Sequence, residues 1–133
     1  MLRIYLSHSI RGAKGNDATP EEIAHNCRKA CDFTRLLREK VPNVEFYVPA
    51  EMDEFPDAAY TNGYLTIGEL LLIDCEILYK RNAVLVYAPD SYISGGMWTE
   101  IRHAHRYHIP IYLVRTLGEA AETVNQLLME MGQ

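Results

Sequence analysis

The residue best placed for chemistry is Glu100, a glutamate one turn or so inside a predicted helix. Ser94 stands six residues before it, and Gly95-Gly96 lie between them at the start of a run with helical spacing. A helix N-terminus offers unpaired N–H groups and a partial positive charge, and glycines let a phosphate or hydroxyl approach them. Beside the anomeric carbon of a sugar, a glutamate can act as the nucleophile and form a glycosyl ester. The same pattern also fits a plain turn followed by an acidic side chain near a helix start.

A second polar segment, "SHSIRG" at residues 7–12, follows the first predicted strand. It supplies backbone amides, hydroxyls and one cation, Arg11. Together with Ser94 it suits a single phosphate or a sugar phosphate, although Arg11 alone is also typical of a solvated surface. The sequence has no GxGxxG fingerprint and no P-loop, so neither dinucleotide nor triphosphate chemistry is indicated.

Asp74 lies in the otherwise apolar stretch "LLLIDCEIL". A carboxylate in such a place needs a partner or a raised pKa, which marks it as a candidate functional group, although a buried acid that caps a loop would look the same. Four aromatic residues are candidates for stacking on a base: Phe55, Tyr60, Tyr64 and Trp98. For Trp98 the alternatives are a pocket wall, a subunit interface and core packing.

No metal site is predicted. Cys27 and Cys31 are four residues apart on the apolar stripe of a predicted helix and have no second ligand pair, which favours core packing. His103 and His105 are two apart, so on a helix they point to different sides. We expect neither a metal nor an organic cofactor. Three cysteines give an odd number and no disulfide framework, which indicates a reducing compartment.

Composition narrows the function classes. The chain has 133 residues, so we expect one domain. Its net charge is -5, and binding to a nucleic-acid polymer needs clustered cations, so we expect no nucleic-acid polymer as a partner. The N-terminus reaches polar residues too soon for a secretory signal. No apolar run reaches membrane-spanning length, so we expect no membrane partner and a cytoplasmic location.

The periodicity alternates between strand and helix four times. Strands are predicted at 2–7, 43–49, 83–89 and 109–114, and helices within 18–42, at 67–81 (largely buried), at 95–108 and at 118–132. The first helix is predicted to begin at Pro20, with Thr19 as its N-cap and Glu22 completing a capping box. Its predicted buried stripe is Ile23, Cys27, Ala30, Thr34 and Leu37. This alternation predicts a single-domain α/β fold, a three-layer sandwich with a doubly wound parallel sheet, flavodoxin-like or Rossmann-like. Ligands of such sheets bind beyond the carboxyl ends of the strands, where "SHSIRG", a loop or lid at 50–66, and "DSYISGG" all follow strands.

The stretches "IYLSHSIRG" and "SGGMWTEIRHA" together resemble the nucleoside 2-deoxyribosyltransferase superfamily, and within it the deoxynucleoside 5'-monophosphate N-glycosidases. Those enzymes carry a Tyr-x-x-x-Ser-Ile-Arg-Gly segment after the first strand and a Ser-x-Gly-x-x-x-Glu segment that opens a later helix. The matching residues are Tyr5, Ser9, Ile10, Arg11, Gly12, Ser94, Gly96 and Glu100. The resemblance covers essentially the whole chain in order and length.

The resemblance implies cleavage of the N-glycosidic bond of a (deoxy)nucleoside or its monophosphate. Glu100 would be the nucleophile, Tyr5 would position it by a hydrogen bond, and Asp74 would act as acid or base near the nucleobase. The 5'-phosphate would be held by Ser9, Ile10, Arg11, Gly12, Ser94 and Gly96. A homodimer or a higher homo-oligomer is also implied.

Ser94 favours a monophosphate over a nucleoside. Nucleoside-specific transferases of the superfamily have an aspartate at this place, which would repel a phosphate dianion, whereas a serine can donate to it. His8 stands where the family usually has glycine, and it either binds phosphate or fills space.

We therefore predict a glycosidase that releases a free base from a (deoxy)nucleoside 5'-monophosphate. The alternatives are a deoxyribosyltransferase that exchanges bases, an NAD-cleaving domain, and a nucleotide-binding sensor domain without chemistry.

Overall fold

The computed structural model describes residues 1–52, 63 and 66–132. Most of the predicted loop or lid at 50–66 lies outside these residues. The predicted base-stacking residues Phe55, Tyr60 and Tyr64 lie outside them as well.

Strands and helices alternate along the chain as the sequence predicts. Two short 3₁₀ helices follow the first and second strands, at Gly12–Asp17 and Pro49–Met52. The other elements are β1 Leu2–His8, α1 Pro20–Lys40, β2 Val44–Tyr47, α2 Ile67–Leu78, β3 Ala83–Tyr87, α3 Gly95–Arg106, β4 Ile111–Val114 and α4 Leu117–Met131.

The four strands form one parallel sheet in the order β2-β1-β3-β4. Helices α1 and α4 pack on one face, and α2 and α3 pack together on the other. This arrangement confirms the predicted doubly wound three-layer sandwich. The strand order reverses between β1 and β3, and in such sheets the crevice at the carboxyl ends of those two strands is the usual ligand site.

The predicted start of α1 is confirmed in detail. Thr19 accepts a bond from the Glu22 amide, the Glu22 side chain accepts from the Thr19 amide, and Pro20 is the first helical residue. This capping box satisfies N–H groups that the first turn cannot pair internally, and the proline has no N–H to leave unpaired. Of the predicted buried stripe, Ala30, Thr34 and Leu37 are buried, and the more N-terminal members are half-buried.

Two hydrophobic layers cover the two faces of the sheet. Because side chains alternate along a strand, Ile4 and Leu6 of β1 enter the layer under α1 and α4, whereas Tyr5 enters the layer under α2 and α3. β1 lies between β2 and β3 and is buried along most of its length. This central strand is therefore the rigid support for any side chain at its carboxyl end.

Helix α2 differs from the prediction of a largely buried helix. Among its residues Cys75 and Leu78 are buried, but Leu72 is 57% and Ile73 is 40% exposed. The helix contacts the sheet along one stripe only, so a mostly apolar sequence leaves apolar side chains on its outer face. Within residues 1–52, 63 and 66–132, no helix combines the length and apolar character that crossing a bilayer requires.

Candidate active site

Glu100 lies on the buried side of α3, where its carboxylate faces the end of β1. The residue is 5% exposed. The Tyr5 hydroxyl donates to Oε2, and the Ser7 hydroxyl donates to Oε1 at 2.7 Å. Tyr5 and Ser7 are two residues apart on a strand, so they share a face. The contact between Tyr5 and Glu100 is the one that the resemblance implies, and Ser7 is an addition to it.

The surroundings of Glu100 make its carboxylate a titrating group near neutral pH. Burial raises its pKa to about 7, although the hydrogen bonds from Tyr5 and Ser7 lower it and the nearby Asp74 raises it. The pKa of Tyr5 lies well above 10 because of its burial and the negative charge of Glu100, so its phenol keeps its proton and remains a donor. The ionised carboxylate is a candidate nucleophile, and the protonated one a candidate acid.

Asp74 projects from α2 towards the same cluster. It is half-buried, and burial raises its pKa to about 6 against the opposing effect of a hydrogen bond from Tyr47. The Tyr47 hydroxyl donates to Asp74 Oδ1 at 3.3 Å, and its ring lies 5.4 Å from the ring of Tyr5 between centroids. Burial raises the pKa of Tyr47 to about 12, so it also stays protonated. Two carboxyl groups that titrate close to neutrality thus lie in one cluster with their hydroxyl donors.

The first loop is held in place by its own hydrogen bonds. The Gly12 amide donates to Ser9 Oγ at 2.8 Å, and Asn26 of α1 donates to the Ile10 carbonyl at 3.0 Å. Gly12 has φ +70°, and a Cβ there would come within 3.3 Å of the Asn26 side chain, so glycine suits this position on both counts. The Arg11 guanidinium bonds Asn16 at 2.9 Å, which uses one of its five N–H groups.

The start of α3 is open towards a ligand. Ser94 is the N-cap, and its hydroxyl oxygen accepts from the Met97 amide at 3.3 Å. Because the oxygen serves as the acceptor, the hydroxyl proton is left for a further acceptor. A Cβ built on Gly95 or Gly96 would meet nothing within 4 Å. The amides of a first turn lack intrahelical partners, so this end of the helix suits an anion.

His8 has a structural role. It is 7% exposed, its Nε2 accepts from the Ala50 amide at 3.1 Å, and its Nδ1 lies 3.3 Å from the Ser9 carbonyl, to which it donates. Burial lowers its pKa to about 4. A neutral imidazole with both nitrogens on backbone groups is not a cation for phosphate. Of the two alternatives for His8, the structure favours filling space.

Trp98 is not part of the core, so the core-packing alternative for this residue is wrong. The residue is 46% exposed and lines a groove of about 400 Å³ on the outer face of α3, with Ile101, Arg102 and His105. Two residues of helix turn the direction by about 200°, which places Trp98 on the face opposite Glu100. Trp98 is therefore not a wall of the Glu100 site either. Its place in a subunit interface stays a prediction.

The cysteines and histidines do not gather into a metal site. Cys27 and Cys31 pack against the layer under α1 and α4, which confirms core packing. The Nδ1 atom of His103 forms a hydrogen bond with the Tyr79 hydroxyl. Among the residues that the structure describes, no group of three or more His, Cys, Asp or Glu side chains could hold a metal ion.

Ser7 and Tyr47 are the two members of the cluster that sequence reasoning missed. For Ser7 a signal existed, because a polar residue two positions after Tyr5 in an apolar strand shares the face of Tyr5. For Tyr47 the signal is the pairing of β1 with β2, which sets Tyr47 beside Tyr5. That register cannot be read from the sequence alone.

No protein-family model matches the chain, and comparison with curated proteins finds no match. Among solved structures, the chain is similar to a conserved protein from Enterococcus faecalis V583, with a TM-score of 0.60 and 18% identity. The match covers 85% of this chain and 62% of that protein, so the chain spans less than two thirds of its length. This likeness bears on the fold alone and agrees with the α/β sandwich built on a four-stranded parallel sheet in this chain.

Proposed function

We propose that this protein cleaves the N-glycosidic bond of a (deoxy)nucleoside 5'-monophosphate, with Glu100 as the nucleophile. The observation that carries the proposal is the buried Glu100 carboxylate, which receives a hydroxyl hydrogen bond at each oxygen and lies near Asp74. The cluster stands at the carboxyl end of β1, next to the open start of α3. The resemblance of both segments to the deoxynucleoside 5'-monophosphate N-glycosidases supports the same reaction.

The reaction has two displacements at the anomeric carbon. In the first, a Glu100 oxygen attacks that carbon, the bond to the base breaks, and the base nitrogen keeps the electron pair. Asp74 gives the departing base its proton. In the second, water attacks the glycosyl ester, its proton goes to the Asp74 carboxylate, and the ester bond breaks to restore the Glu100 carboxylate. The products are the free base and a sugar 5-phosphate, and Asp74 is protonated again.

This cycle needs a negative charge on Glu100 and a proton on Asp74. Burial raises the pKa values of these carboxyls to about 7 and about 6 respectively, so the pair holds a single proton between about pH 6 and 7. Within that singly protonated state, the form with the proton on Asp74 is the active one. The activity should fall on both sides of this interval, with apparent pKa values that belong to the pair.

The phosphate is assigned to the start of α3 and the first loop. Ser94 keeps a hydroxyl proton to donate, Gly95 and Gly96 leave the first amides accessible, and Arg11 supplies a cation from the adjacent loop. An aspartate in place of Ser94 would repel a dianion. The neutral serine therefore supports a monophosphate substrate and, with it, the hydrolase over the base-exchanging transferase.

We also propose that the active form is a homodimer or a higher homo-oligomer. Support comes from the apolar side chains on the outer faces of α2 and α3, where Leu72, Ile73 and Trp98 are each at least 40% exposed. These helices pack against each other, and large exposed apolar patches mark protein–protein interaction sites. Light scattering after size-exclusion chromatography measures the state directly, and a monomer at micromolar concentration would refute the proposal.

The function is tested by chromatographic detection of free base from a panel of ribo- and deoxyribonucleoside monophosphates, nucleosides and NAD. Wild type, Glu100→Ala and the control Glu76→Ala are compared; Glu76 is an exposed acid on α2. We expect base release from a monophosphate that Glu100→Ala abolishes and Glu76→Ala retains.

The other outcomes separate the alternatives. Transfer of the sugar to an added second base identifies a transferase, and release of nicotinamide identifies an NAD-cleaving enzyme. No release from any compound at high enzyme concentration and long times refutes the glycosidase. Calorimetric binding of a nucleotide without turnover would then identify a sensor domain.

A further inference from the structure

Ser7 is a buried polar side chain in an apolar layer. It is 0% exposed and lies opposite Val86 in the register of β1 with β3. The apolar layer on this side of the sheet includes Val84, Val86 and Met97. A hydroxyl in such surroundings is unfavourable unless it is hydrogen-bonded, and the partner of the Ser7 hydroxyl is Glu100 Oε1 at 2.7 Å.

The Glu100 carboxylate is held at both ends by residues of one strand. Tyr5 donates to Oε2 and Ser7 donates to Oε1. Two donors fixed on the same strand face define the plane of the carboxylate, because rotating it would break both bonds. Each oxygen of an ionised carboxylate has a second acceptor position, so either oxygen keeps an electron pair for a reacting carbon.

The groups that face Glu100 offer it no positive charge. They are Tyr5 and Ser7 on β1, Tyr47 on β2, and Asp74 and Cys75 on α2. Within the described part of the chain, none of the groups that act on the Glu100 titration is a cation. Among the described residues, the side chains that stabilise its negative charge are the two hydroxyl donors, Tyr5 and Ser7.

We propose that Ser7 is a positioning residue for Glu100: its hydroxyl fixes the orientation of the carboxylate and stabilises its charge in a buried site. As a contribution to catalysis, the inference rests on the proposed glycosidase function. As a statement about the ionisation of Glu100, it stands on the hydrogen bond and can be tested without turnover.

The first test is a pH titration of the Glu100 carboxyl by NMR in protein labelled with 13C at the glutamate side chain. The resonance is assigned by its absence in Glu100→Gln. Removing a donor from a buried carboxylate disfavours the charged form, so Ser7→Ala should raise the Glu100 pKa by about one unit, the value of one charge-assisted hydrogen bond. Ser7→Cys replaces the hydroxyl by a somewhat larger thiol that donates only weakly, and it should give a smaller rise.

The matched control is Thr34→Val. Thr34 is also a fully buried hydroxyl, but it bonds the Ala30 carbonyl within α1, in the layer on the other side of the sheet. This variant should leave the Glu100 titration unchanged although it also loses a core hydroxyl. A Glu100 pKa that is the same in Ser7→Ala as in wild type would overturn the proposal, as would an equal shift in Thr34→Val.

The second test is kinetic. Glu100 has the higher pKa of the pair, so its ionisation sets the alkaline break of the profile. In Ser7→Ala the alkaline limb of kcat/KM should therefore move to higher pH by the same amount as the NMR titration. We also expect kcat to fall about 10- to 100-fold, with KM nearly unchanged because Ser7 contacts the nucleophile. If Ser7→Ala is active and the alkaline limb of its kcat/KM profile does not move, the role of Ser7 is overturned and the proposed glycosidase function still stands. A wild type without any base release refutes the glycosidase, and the NMR titration still decides the role of Ser7.

Discussion

Replacing Glu100 by glutamine should make the protein more stable at alkaline pH while it removes the activity. The folded pKa of Glu100, about 7, lies above the ordinary 4.5, so folding disfavours the charged form. Its stabilising contribution is fully present below pH 4.5 and is lost as pH rises through 7. At about 1.4 kcal/mol per pH unit, the loss amounts to about 3 kcal/mol at pH 8.

Glutamine keeps the shape of the side chain and removes the charge. Its amide oxygen can accept from Tyr5 or from Ser7 but not from both, and the lost hydrogen bond costs about 1 kcal/mol. Glu100→Gln should therefore exceed wild type in free energy of unfolding by about 2 kcal/mol at pH 8. At pH 5, where the wild-type carboxyl is protonated in the fold, the variant should have no advantage.

Urea unfolding followed by circular dichroism at pH 5 and pH 8 measures this difference. Variant and wild type must be compared at each pH, because His8 imposes an opposite trend: burial lowers its pKa to about 4, so its contribution is lost as pH falls from 6.5. Glu76→Gln is the control and should show no pH-dependent gain. If Glu100→Gln is less stable than wild type by the same amount at both pH values, the buried charge of Glu100 does not destabilise the fold at alkaline pH. That result would refute the prediction.

Two further predictions concern the reaction itself. Asp74→Asn should lower kcat about 10²- to 10⁴-fold, the usual contribution of a general acid, and should abolish the alkaline limb of the pH–rate profile; a retained limb would assign that limb to another group. Ser94→Asp should weaken monophosphate binding by at least about tenfold through charge repulsion, whereas nucleoside binding should be retained; both are measured by calorimetry. The control is Ser94→Ala, which loses the hydroxyl without adding charge. Equal losses of monophosphate affinity in both variants would count against repulsion.

The fold could be predicted because its signals are local. The capping box at Thr19, the proline at Pro20 and the alternation of strand and helix periods depend on neighbours in the chain, and all are confirmed. The degree of burial of α2 could not be predicted in this way. A mostly apolar sequence predicts a buried helix. Leu72 and Ile73 nevertheless face outward, because only one side of the helix contacts the sheet.

The candidate site could be predicted in part, because some of its signals are also local in the sequence. The structure brings together Glu100, Tyr5 and Asp74, which the sequence and the resemblance single out. Tyr47 escapes prediction because its place beside Tyr5 depends on strand register. The sequence does not decide between the two alternatives for His8, because the Ala50 amide that binds its buried Nε2 lies on a different element.

The position of β1 at the centre of the sheet has a consequence for the dynamics of the site. A strand paired on both sides exchanges its amide hydrogens only through the largest openings, whereas loops and edges open at much lower free energy. Tyr5 is paired with both β2 and β3, and Ser7 is paired with β3, so the hydroxyl donors of Glu100 belong to the part of the fold that opens last. The geometry around the carboxylate should therefore persist up to the temperature at which the whole domain unfolds.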